Sequence, residues 1–135
     1  MGNDNVWDNE FLEFEDSVMK ALLREDEKIS KKLIKQYESI VVTDRYFSGD
    51  GFITEFEVRN FDNRLNASDL LHRFEISNER IVLRNVHAEV NALEYGARFL
   101  LFIDDGLINF LEGFTAGSEK WPNKISNYTV SILQE

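Results

Sequence analysis

The chain has no cysteine. That excludes a disulfide framework, a thiolate nucleophile and every zinc site that uses a cysteine ligand. It fits a reducing compartment, and a cytoplasmic location is expected. Proline is nearly absent as well, with Pro122 the only one. No apolar run approaches the roughly 18 uninterrupted residues of a membrane span, so no membrane contact is expected. The opening residues MGNDNVWDNEF are acidic and lack a basic stretch leading into an apolar one, so no secretory signal is expected. The catalytic signatures G-x-S-x-G, the P-loop and H-E-x-x-H are missing too.

Positive charge is also scarce. Against 25 acidic side chains stand 15 basic ones, for a formal net charge of −10. Such a chain is repelled by nucleic acid and by anionic membranes and attracted to basic partners. Acidity also simply keeps a protein soluble. The charge is unevenly placed: residues 1–27 hold nine acids and two bases. Lys28, Lys31, Lys32 and Lys35 then form a basic helical stripe. Flanking acids and the overall charge argue for a solvated or internally paired face there rather than a nucleic-acid site.

What remains is ample for one domain over residues 1–135. Hydrophobic residues make up 43% and aromatics 13%, with 11 Phe, which is too apolar for disorder. Phe11, Phe14, Val18 and Leu22 recur at helical spacing, widened by Leu12 and Met19, and Asp8 or Asn9 can cap the start. This Phe-rich stripe reads as core, with a helix-mediated homodimer as the alternative. The stripe resumes at Ile29, Leu33, Ile34 and Tyr37 beyond the fully charged R-E-D-E at 24–27. The segment is one long helix or two with a joint near Glu25.

From Ile40 the period changes to two. I-V-V-T-D-R-Y-F, S-G-D-G and F-I-T-E-F-E-V form a hairpin signal, with Phe52, Thr54, Phe56 and Val58 on one face and Ile53, Glu55 and Glu57 on the other. Residues 60–72 read as a loop in which Ser68 or Asp69 opens a short helix. Residues 80–90 read as a strand, 96–114 as a second hairpin turning at Asp105-Gly106, and 128–133 as a last strand. The fold class is therefore α+β, a helix or helix pair packed on a mostly antiparallel sheet of five or six strands.

Glu112 interrupts an apolar strand. A tight turn at Asp105-Gly106 with unbroken pairing sets Phe99 opposite Glu112, on a face shared with Leu101, Ile103, Ile108, Phe110 and Phe114. A carboxylate there needs partners. Thr115, Gly117, Ser118 and the Trp121 indole N–H can supply them, which makes Glu112 either a fastening for the 115–121 loop or a pocket carboxylate. His87 and Glu89 share a strand face, but His72 is the only other histidine and completes no metal site, so no metal and no cofactor are expected. Asp104-Asp105 reads as turn chemistry before metal chemistry, and S-G-D-G likewise.

The run DGLINFLEGFTAGSEKWP resembles a pattern in small bacterial α+β proteins: an apolar strand, D-G, a second strand ending L-E-G-[FY]-T, a short loop, then W-P. V-H-A-E-V-N-A-L-E-Y-G-A-R-F-L-L-F-I at 86–103 extends the likeness over the last third of the chain. Such small acidic proteins look like those encoded beside secreted toxins, which serve as immunity proteins. The resemblance implies a recurring fold element and delivers no catalytic residue. The leading expectation is a non-enzymatic binding protein whose acidic surface occludes the basic active site of a toxin domain. The partner-binding candidates are Glu55, Glu57, Asp104 and Asp105, then Glu13 and Asp16. The alternative is a small-molecule binder or minor enzyme with a pocket formed by Glu112, His87 and Glu89.

Overall fold

The computed structural model describes residues 8–73 and 80–133. The opening stretch 1–7, on which the absence of a secretory signal mainly rests, lies outside the described residues. Helix α1 spans Asn9–Leu22 and α2 spans Glu27–Glu38. Asp8 caps α1 by accepting from the Phe11 N–H at 2.9 Å. The helical segment is thus two helices. The joint falls where expected because the charged 24–27 run carries no apolar side chain and supplies its own cap, Asp26, which accepts from the Lys28 N–H at 3.1 Å.

Among the described residues seven antiparallel strands follow: β1 Val41–Phe47, β2 Gly51–Glu57, β3 Arg80–Leu83, β4 Val86–Val90, β5 Ala97–Asp104, β6 Leu107–Thr115 and β7 Tyr128–Ile132. The spatial order is β1-β2-β6-β5-β4-β7, with β3 also paired to β5. The segment expected as one strand at 80–90 is two, lying end to end on the β5 edge. Glu25 marks the break: its carboxylate accepts from the Asn85 N–H at 2.7 Å and from the Arg84 N–H. The loop at 60–73 contains two short 3-10 turns, Phe61–Asn63 and Ala67–Leu70, the second capped by Asn66, ahead of the expected Ser68 or Asp69.

Both helices lie on one face of the sheet. Phe14 meets Phe99, Trp121 and Tyr128 with ring centroids 5.8, 6.2 and 5.1 Å away, and Phe11 meets Phe52 edge-on at 5.0 Å. Phe11, Phe14, Val18 and Leu22 are at most 1% exposed, so these positions of the Phe-rich stripe are core. Gln36 fastens α2 to the β5–β6 turn. Its amide N–H group donates to Asn63 O and Gly106 O at 2.8 and 3.0 Å, and its carbonyl accepts from the Ile108 N–H at 2.9 Å. A buried amide satisfied three ways specifies one docking of helix on sheet.

The Asp105-Gly106 turn forms as expected, with φ of +54° and +81° and Asp104 opposite Leu107. Beyond it the register departs from unbroken pairing. Ile103 faces Ile108, but Phe102 faces Phe110, so Asn109 is the extra residue of a β-bulge. Asn109 turns its side-chain amide to Asp104 at 2.6 Å. From there the faces of β6 exchange: Leu111, Gly113 and Thr115 point into the core, and Phe110, Glu112 and Phe114 point away from it.

Candidate functional site

The sheet face opposite the helices has no described helix on it. Alternation places Tyr46, Ile53, Glu112 and Leu100 in one row across β1, β2, β6 and β5. The next row is Asp44, Glu55, Phe110, Phe102 and Val82. Phe102 and Phe110 stack at 4.3 Å, and the Arg80 guanidinium lies 4.8 Å from the first ring centre and 5.6 Å from the second. Asp104 grips Arg80 through two contacts of 2.6 and 3.0 Å, and this pairing with Arg80 holds the Asp104 carboxyl below its ordinary value. Tyr46 is 50% exposed. The neighbouring Asp44 and Glu55 carboxylates push its phenol above the ordinary value.

The other half carries two arginines. Arg98 stands between His87 on β4 and Phe114 on β6, and Arg84 follows the end of β3. A hollow of about 310 Å³ lies among Arg84, Arg98, Leu100, Phe114 and Ala116. The Arg98 Nε is buried with no hydrogen-bond partner among the described residues. An unsatisfied buried donor costs about 1–3 kcal/mol. Beside this region His87 and Glu89 line an open cleft of about 470 Å³ with Glu94, Tyr95 and Asn127, and the His87 Nε2 lies 3.1 Å from Tyr95 O.

The expected partner-binding residues are divided by the fold. Glu55, Glu57 and Asp104 share the open sheet face. Glu57 pairs with Arg59 at 3.1 Å, and Asp105 at the turn is held by Arg64. Glu13 and Asp16 lie on the helical side. Glu13 is exposed, whereas Asp16 accepts from the Tyr37 hydroxyl at 2.7 Å and pairs with Lys20 at 3.0 Å. Of the lysine stripe, Lys32 pairs with Asp69 at 2.9 Å and Lys35 with Glu38 at 3.7 Å. No group of three His, Asp or Glu side chains capable of holding a metal occurs among the described residues. No helix among them is long and apolar enough to cross a membrane.

Glu112 requires a correction. It lies opposite Leu100, not Phe99, because the bulge at Asn109 shifts the register by one. It therefore stands on the open face, half-buried, while Trp121 is packed in the core between Phe14 and Phe52. The two do not meet. The loop is tied down instead by Glu119, whose carboxylate accepts from the Glu94 and Tyr95 N–H groups at 3.0 and 3.2 Å, and by the Thr115 hydroxyl donating to Glu119 O at 2.7 Å. Nor does Glu112 line the cleft of His87 and Glu89.

Another carboxylate is the buried one. Glu15, 5% exposed, accepts from Arg45 at 2.6 Å and from the Thr54 hydroxyl. Helical spacing could have found it, since Glu15 lies four residues after Phe11, on the same face. Burial drives the Tyr37 phenol well above its ordinary value and Asp16 adds to the rise. For Asp16, burial pushes the carboxyl up, but the Tyr37 and Lys20 contacts outweigh it and the net shift is downward. These contacts fasten α1 to α2 through Asp16 and Tyr37, and to β1 and β2 through Glu15. No protein-family model, curated protein or solved structure matches the chain.

Proposed function

We propose that the chain is a non-enzymatic binding protein, an acidic immunity protein that neutralises a cognate bacterial toxin by covering its basic active site with the open sheet face. It would act in the cytoplasm. One observation carries this reading: on a chain of net charge −10, a patch made of Tyr46, which is 50% exposed, and the half-buried Ile53 and Phe110 is flanked by Asp44, Glu55 and Glu112. An apolar centre within a charged border is the anatomy of a protein interface, and tyrosine is a common anchor in one. The carboxylates speed encounter with a basic surface and stand where phosphate oxygens would sit in a nuclease site. The resemblance of the C-terminal third to small toxin-associated proteins points the same way.

The test is co-expression with the protein encoded beside this chain. Growth arrest by that neighbour, relieved by this chain and accompanied by a 1:1 complex whose association slows with added salt, is the expected result. A neighbour that is harmless, or that stays toxic in the presence of this chain, sinks the reading. A small-molecule binder is the second reading. It is favoured by the cleft at His87 and Glu89 and predicts ligand-dependent stabilisation that His87→Ala abolishes.

A further inference from the structure

We propose that the hollow between Arg84 and Arg98 is a binding site for an organic carboxylate carried on a small apolar body. The site is independent of whether the sheet face docks a toxin. In a chain with 25 acids and 15 bases a basic group has no shortage of partners. Arg45, Arg59, Arg64, Arg73 and Arg80 each hold a carboxylate. The side chains of Arg24, Arg84 and Arg98 hold none among the described residues, and of these Arg84 and Arg98 face one hollow. Arg84 gives only its main-chain N–H, to Glu25. Arg98 buries its Nε with no acceptor among the described residues. A guanidinium stays charged at any physiological pH, so it cannot escape that cost by losing a proton.

The lining defines the ligand. No acidic side chain contributes to it, and its apolar side-chain walls are Leu100, Phe114 and Ala116. Two guanidinium groups beside an apolar floor suit a planar carboxylate with a ring or short branched chain behind it. Glu112 lies opposite Leu100 and Glu89 two residues beyond His87 on the same face. These flanking carboxylates favour a monoanion over a dianion. A phosphate group is therefore the poorer ligand.

The experiment titrates the full chain with benzoate, benzamide and inorganic phosphate while following backbone amide resonances. Benzoate is expected to shift Leu100, Phe114 and Ala116 saturably, with benzamide and phosphate weaker by about tenfold or more. Arg84→Met, at an exposed position, weakens benzoate severalfold without disturbing the fold, and Arg84→Met with Arg98→Met weakens it at least about tenfold. A peptide ending in phenylalanine with a free carboxyl, compared with its amidated form, separates the sources. Binding of the free form alone assigns the site to a chain terminus, and binding of benzoate but neither peptide assigns it to a small molecule. No saturable shift, equal binding of benzamide, tighter binding of phosphate, or benzoate binding untouched by the double substitution overturns the proposal.

Discussion

Glu15 shows how much one side chain decides here. Its side chain is 7% exposed and that of Arg45 19%, so neither charge is well solvated. Breaking such a pair from one side strands the other charge, and Arg45→Met is expected to cost about 3 kcal/mol of stability. Glu15→Gln keeps an acceptor for Thr54 and Arg45 and is expected to cost about 1 kcal/mol. Urea denaturation of both single variants and the double variant measures the coupling, and additive losses would show that the pair does not act as a unit. Two neighbours at the helix joint respond to pH in opposite senses. Burial pushes the Asp26 carboxyl up, but His72, Arg73 and the Lys28 N–H outweigh it and hold it below its ordinary 3.8. Its stabilisation is therefore complete above pH 3.8 and lost as pH falls through the lower folded value, so Asp26→Asn flattens the acid limb of the stability curve. Burial raises the Glu25 carboxyl above its ordinary 4.5, so its charged form weakens the fold as pH climbs from there. Glu25→Gln is expected to gain stability at pH 7 and to gain none below pH 4.5, which urea midpoints at the two pH values would reveal.

At the scale of elements, the β5–β6 hairpin is the part the sequence announces most clearly and conceals most effectively. Gly106 sits at φ +81°, and a Cβ there would lie 2.4 Å from Leu65 O. Gly106→Ala is expected to cost about 2 kcal/mol, seen as a fall in the urea midpoint; no change would mean that the turn and the 60–73 loop move apart freely. That D-G turn was legible, as were the first hairpin, the helix joint and the Asp8 cap, because each is set by local chemistry. The face of Glu112 was not. Leu107, Ile108, Phe110, Leu111 and Phe114 make both faces of β6 apolar, so alternation alone does not fix the register, and a single bulged residue exchanges the faces. Gly113 records the true arrangement: the Phe52 ring packs onto it, and a Cβ there would lie 2.4 Å from that ring. The Arg84–Arg98 hollow was equally hidden, because it depends on two strands lying end to end beside β5, a long-range pairing that no short window contains.

Across the whole molecule, the question is whether acidity acts through its total or through its placement. Net charge repels or attracts at a distance, whereas an interface orients the encounter through its own groups. Glu55 and Glu112 stand on the open sheet face, two strands from its β1 edge at most, while Glu13 is exposed on the helical side. Reversing any one of them changes the total charge by the same amount. If the sheet face meets the basic partner, Glu55→Lys and Glu112→Lys slow association by about tenfold or more at low salt, and Glu13→Lys slows it by no more than about twofold. Stopped-flow association at two ionic strengths separates the cases. Equal slowing by all three substitutions would mean that bulk charge alone guides the encounter, and slowing confined to Glu13→Lys would move the interface to the helices. Tyr46→Ala completes the comparison, because it leaves the charge unchanged. Removing this anchor is expected to speed dissociation while leaving the association rate and its salt dependence intact, the division of labour that an apolar centre with a charged border imposes.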